Sequence, residues 1–208
     1  MPPAPPRQAP VLSVGVRTFK EPDDYAHRNY CAAGAAAVLL SAWTEPTVDV
    51  EAIARAIALD PRTGATGAAT ATGVNTLLAP VVRPVLGRDR YHGDHVASVS
   101  VLEQILRTDL GDARAVSAFG HAVPVMVQTM TRTMPGWSGW QATHVITIFA
   151  ADLRSHDPAR DTVTYAETPS PIAGYAGPPR QTTSVAALWV AMQAFLKDDP
   201  ADPVNVVW

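Results

Sequence analysis

Hydrophobic and polar positions change rhythm half-way along this chain. In the first half, apolar residues recur at helical spacing. The run CAAGAAAVLLSAW predicts a helix over about residues 30–43, with Asn29 placed to cap its N-terminus. Gly34 is the weak point of that helix unless a neighbour packs closely against it. Val50, Ile53, Ala54, Ile57 and Ala58 predict a second helix from about Val48, with Thr47 as its cap. VNTLLAPVV predicts a short helix, and Ser100 with Glu103, spaced as a capping box, predicts another from Val101. The intervening DPRTGATGAATATG, rich in Gly, Ala and Thr, reads as a loop over a site or a plain connector. Residues 11–19 alternate well enough for a strand.

The second half is strand-like. AVPVMVQTM, THVITIFAA and DTVTYAET are β-branched or alternating runs that predict three strands. A Pro-rich loop follows, then a helix from about Ser184 to Lys197, and NVVW as a last strand. Helices first and strands later argue an α+β fold, with helices on one face of a largely antiparallel sheet.

Composition narrows the picture. At 208 residues, the chain is expected to form one domain over residues 11–208, and it is long enough to bury a core without staples. The opening MPPAPPRQAP carries five prolines and predicts a flexible tail over residues 1–10, not a signal peptide. Hydrophobic residues at 47%, charged residues at 17% and a net charge of −3 indicate a globular chain and give no pointer to nucleic acid. No run of about 18 apolar residues suggests a membrane span. The sequence as written predicts a cytoplasmic protein, or a secreted one if a signal has been removed. A single cysteine excludes an internal disulfide framework and a multi-cysteine zinc site.

That cysteine, Cys31, sits at the start of the predicted first helix, where unsatisfied N–H groups and the helix dipole favour a thiolate. A nucleophilic thiol needs a histidine brought close by the fold. His144 opens a strand after the loop MPGWSGWQAT and is the leading candidate; His121 opens the preceding strand, His27 lies four residues before Cys31, and His156 falls in a polar turn. His92, Asp94 and His95 have a spacing that can ligate a metal, but no third partner follows, so neither a metal nor a cofactor is expected. GATGAATATG lacks the lysine of a phosphate-binding loop.

NYCAAGAAAVLLSAW resembles the active-site helix of papain-like cysteine peptidases, most closely the bacterial group similar to bacteriocin-leader peptidases. An aromatic residue, Tyr30, precedes Cys31, and small residues follow it. VPVMVQTM, then GWSGWQATHVITIFAAD, then TVTYAETPSP are similar to the strand, histidine strand and acidic strand of that group. The resemblance implies a papain-like fold, with the nucleophile helix of the first half packed on a sheet formed by the second. It also implies a catalytic set of Cys31, His144 and Glu167. Antiparallel pairing of residues 144–150 with 161–167 would bring Glu167, more than Asp161 or Asp152, beside His144. The chain departs from the group at two points: Ala32 and Ala33 follow the cysteine in place of Gly-Pro, and Tyr25 stands where an oxyanion-binding glutamine is usual. Tyr25 and Asn29 are therefore the candidate oxyanion donors, and Trp137 and Trp140 the candidate walls of the substrate cleft. The implied function is peptide or amide hydrolysis through a thioester. The alternatives are acyl or peptidyl transfer to an amine by the same triad, or a catalytically impaired peptide-binding module. The implied partner is a peptide or amide substrate.

Overall fold

Residues 11–45, 49–138, 141–169 and 171–208 are described by a computed structural model of the chain. The Pro-rich tail and Thr47 lie outside the described residues. The first helix, α1, spans Cys31–Leu40, and all of it except Cys31 is buried. Its N-cap is Tyr30, whose side chain makes no capping bond. Asn29 does not cap it. Its amide reaches across to the carbonyls of Pro61 and Arg62, at 2.9 and 2.7 Å. The second helix, α2, spans Val50–Ala56 and is capped by Asp49, which accepts from the Ala52 N–H.

The Gly/Ala/Thr-rich stretch is a connector only over residues 60–66. From Gly67 it forms the opening turns of a long helix, α3, Gly67–Leu86, capped by Thr66. Its glycines are contact points. A Cβ on Gly73 would lie 2.5 Å from the Ala56 backbone, and one on Gly67 would lie 2.5 Å from Val204. Close packing on α2 and on the C-terminal segment thus overrides the poor helix propensity of Gly and Thr. A two-residue strand, β2 (Gly93–Asp94; β1 is Leu12–Ser13), leads to α4, Val99–Asp109. The cap of α4 is Ser98, two residues before the expected one. A short helix, α5, Ala113–Phe119, was not evident from the sequence pattern.

The strands of the second half are β3 (Val125–Met130), β4 (Thr143–Asp152), β5 (Thr162–Ala166), β6 (Arg180–Ser184) and β7 (Val206–Val207), with α6 (Val185–Asp198) before the last. They form an antiparallel sheet in the order β2-β7-β3-β4-β5-β6, and β1 pairs with the far end of β4. β6 emerges from the segment read as a Pro-rich loop. Two strands therefore come from the first half of the chain.

The α+β character holds, but helices cover both faces of the sheet. Met126, Val145 and Val207 pack against α1, α2 and α3. Val125, Val127, Ile146, Ile148 and Tyr165 pack against α4 and α6. The period-2 alternation of β3 and β4 feeds both cores, because each face of a strand is apolar.

Two contacts fix α1 on the sheet. Thr147 of β4 donates its hydroxyl to the Ala35 carbonyl at 2.7 Å. Gly34 lets Thr168 approach: a Cβ there would lie 2.6 Å from its Oγ1 and 3.0 Å from its Cβ. Thr168 cannot swing aside cheaply, since its hydroxyl donates to Glu21 Oε1 at 2.9 Å. Overpacking by one methyl costs roughly 1–3 kcal/mol, set against about 1 kcal/mol gained in helix propensity. Gly34→Ala is expected to lower stability by about 1 kcal/mol net in a denaturant melt. Gly15→Ala, at a site with open space, is expected to stay within about 0.5 kcal/mol of the parent.

Candidate active site

Cys31 is the first residue of α1 and is half-buried. The first intrahelical bond is from Gly34 N to the Tyr30 carbonyl, at 2.8 Å. The N–H groups of the preceding turn therefore carry no intrahelical partner and give this end of the helix a positive potential.

His144 lies near the start of β4 and is buried at 3% exposure. Its strand position is set by β3, where Thr129 pairs with it and donates a hydroxyl bond to its carbonyl at 3.2 Å. The imidazole Nε2 meets Glu167 Oε2 at 2.8 Å. Cys31 borders the same cleft, close enough to favour the charged form of the ring. With Nε2 engaged by the carboxylate, Nδ1 is the nitrogen left for the thiol.

Glu167 follows the last residue of β5. Ala166 pairs with Thr147, so the next step along the chain carries Glu167 toward the His144 end of β4. Its backbone N–H is held by the Pro179 carbonyl at 3.0 Å. Its second carboxylate oxygen, Oε1, accepts from the Trp137 indole N–H at 3.2 Å. The Trp137 ring stands edge-on to His144, with centroids 4.9 Å apart. One tryptophan thus orients the carboxylate and shields the His–Glu bond from water.

These contacts determine the charge state. Burial works against a charged His144, but the nearby Glu167 carboxylate, the Cys31 thiol and the bond to Glu167 outweigh it and raise its pKa to about 10. The group is therefore an imidazolium at neutral pH, facing the thiol on one side and the carboxylate on the other.

No family model matches this chain, and no curated protein matches it.

Cys31 and His144 border a cleft of about 520 Å³, and Glu167 lies buried behind the imidazole. Tyr25 lies on its rim, 72% exposed, with the Arg28 guanidinium 4.0 Å above its ring. Asn29 also borders the cleft, but its amide hydrogens are committed to Pro61 and Arg62, so it is not an oxyanion donor. Trp137 forms one wall, and Trp140 lies outside the described residues.

The first part of the Gly/Ala/Thr-rich stretch borders the cleft, as a loop over a site would, and several other cleft residues were not singled out from the sequence. Thr63, Gly64 and Ala65 line the side next to Asn29, while Ile172 and Ala173 line another part of the wall. Glu21, a buried carboxylate, and Gln128, from the middle of β3, also line the cleft. Alternation along β3 makes Gln128 look like a residue facing solvent, and only the packing of α3 reveals otherwise.

The remaining histidines have other partners. His27 lies between Asp24 and Glu51, with ring nitrogens at 2.6 and 2.7 Å from their oxygens. His121 stacks edge-on to Trp43 at 4.6 Å, and His156 is 3.4 Å from the Arg107 guanidinium. His92 contacts Asp94 at 3.3 Å, while His95 turns to the Pro203 carbonyl. Among the described residues, no three His, Cys, Asp or Glu side chains are grouped to hold a metal ion.

The raised pKa of His144 has a consequence for stability. A group whose folded pKa lies above its unfolded value near 6.5 stabilises the fold fully below that value, and the contribution is lost as pH rises through the folded pKa. Cys31→Ala removes the thiol's own proton from the count. The Cys31→Ala protein, in which Glu167 still raises the pKa of His144, is then expected to lose stability as pH rises above about 6.5, over a window that ends below 10 because the thiol's own contribution is gone. Cys31→Ala/Glu167→Gln, which lacks the carboxylate, is expected to show a flatter profile in parallel denaturant melts.

Proposed function

We propose that this chain is a cysteine-dependent hydrolase of peptide or amide bonds, with its site arranged as in papain-like peptidases. The observation that carries the reading is that one buried imidazole, bonded to Glu167, shares a cleft with Cys31 at the start of α1. The order of parts supports it: nucleophile at a helix start, histidine at a strand start, carboxylate at the end of the neighbouring strand. The fold alone would not carry a function.

In this reading, the Cys31 thiolate attacks the substrate carbonyl carbon. The oxyanion that forms is met by the unpartnered N–H groups at the start of α1, with the Tyr25 hydroxyl as the side-chain donor at the rim. His144 passes its proton to the leaving amine as the C–N bond breaks, leaving a thioester on Cys31. Water then attacks the thioester and gives a proton to His144. Collapse of the second tetrahedral adduct releases the carboxylic acid and restores the thiolate–imidazolium pair. Glu167 keeps the ring in one tautomer and orientation throughout and does not itself take the proton. The cleft walls exclude bulk water from the ion pair, which strengthens it.

Digestion of a peptide library, read by mass spectrometry, tests the reading. Cleavage is expected in the parent and absent in Cys31→Ala. Glu167→Gln is expected to lower kcat/KM by about 100-fold or more. Cleavage that survives Cys31→Ala, or a parent that cuts no peptide or simple amide, would overturn it. A new amide formed with an added amine at the expense of the acid would assign the same triad to acyl transfer.

A further inference from the structure

Gln128 is 6% exposed, yet it borders the cleft together with Cys31, His144 and Val145. Its amide orientation is dictated by chemistry. Nε2 lies 2.6 Å from Asp202 Oδ2 and 2.6 Å from the Val204 carbonyl, both groups that only accept hydrogen bonds. That end of the amide must therefore be the NH₂ end, and both of its hydrogens are used. Gln128 cannot donate to an oxyanion. What it retains is the carbonyl oxygen Oε1; both side-chain bonds of Gln128 to described residues are made by Nε2.

The clamp behind it is firmly built. Asp202 is 7% exposed, accepts from the Gly67 N–H at 2.8 Å at the start of α3, and accepts from the Val204 N–H at 3.3 Å. The carboxylate on the NH₂ side polarises the amide and strengthens Oε1 as an acceptor. The backbone of Gln128 is fixed as well, by pairing with Val145 of β4 and by a bond from its N–H to the Asn205 carbonyl at 2.9 Å. Three segments, the start of α3, β4 and residues 202–205, thus converge on Gln128 to hold one acceptor still at the edge of a mostly apolar cleft.

We propose that Gln128 is a specificity-determining residue: its Oε1 accepts a hydrogen bond from a donor group, an amide N–H or an ammonium, on the substrate residue that lodges beside Val145. This rests on the hydrolase reading and adds the substrate class. The site selects peptides whose side chain at one subsite donates a hydrogen bond over apolar side chains of the same shape. An apolar isostere in that place leaves a buried acceptor unpaired, and the site discriminates against it for that reason.

Paired peptidyl vinyl sulfones test this. Members of a pair differ only in asparagine against leucine, or lysine against norleucine, at one of the three residues before the electrophile. The rate of Cys31 labelling is followed by intact mass, and the result is the ratio of the two rates within one protein. The wild type is expected to favour the donor-bearing member by about tenfold at one position, the scale of one hydrogen bond. Gln128→Lys keeps a donor toward Asp202 and removes only the acceptor; Gln128→Met removes both at similar volume. In each variant, shown to be folded by its thermal melt, the ratio is expected to fall to about one or below. Equal rates in the wild type at every position overturn the proposal, whether or not the variants fold, and so does a preference that survives in either variant. Labelling that ignores His144→Ala overturns the hydrolase reading instead and leaves the ratio readable.

Discussion

The carboxylate of Glu167 has no exposed side-chain surface, and the rest of the site is arranged around that fact. An ionised carboxyl in the interior costs several kcal/mol unless it is paired and hydrogen-bonded. Here one oxygen takes the His144 ring and the other takes the Trp137 indole. The carboxylate holds His144 charged, and the charged ring in turn faces Cys31. Three residues far apart in sequence become one electrostatic unit because one buried charge requires partners.

The fold brings those partners together through a few specific contacts. The β4–β5 register carries Glu167 to the His144 end of its neighbour. Thr147, three residues along β4 from His144, bonds the Ala35 carbonyl and sets the height of α1 on the sheet. Gly34, one turn into α1, gives Thr168 room beside it, and Thr168 is the residue after Glu167. The contacts that seat α1 on the sheet therefore also set the spacing of Cys31, His144 and Glu167. A change in packing at this junction shifts the geometry of these three residues as well as the stability of the fold.

The strands that carry the site were legible because β3, β4 and β5 are rich in β-branched residues and each is flanked by turn residues. The pairing of Glu167 with His144 followed from simple antiparallel geometry. Other features were hidden for physical reasons. The glycines of α3 look like loop residues until α2 and Val204 are seen to press against them. β6 hides in a Pro-rich segment because it is an edge strand whose polar residues need satisfy only one neighbour. Asn29 looked like a helix cap, but it is drawn away by two carbonyls more than thirty residues ahead. Gln128 gave no local signal, since its partners Asp202 and Val204 come from the far end of the chain. Sequence periodicity reports which face of an element is apolar; it does not report which distant acceptor will claim a particular amide.

The central claim is that Cys31, His144 and Glu167 act as one unit. The pH profile of Cys31 alkylation by iodoacetamide tests it most directly, measured for the parent, His144→Ala and Glu167→Gln. The claim predicts that the parent reacts readily at pH 6, where an ordinary thiol is almost wholly protonated. Both variants should lose about tenfold or more of that rate at the same pH. A parent that reacts only above about pH 8, with a profile unchanged by either substitution, would contradict it.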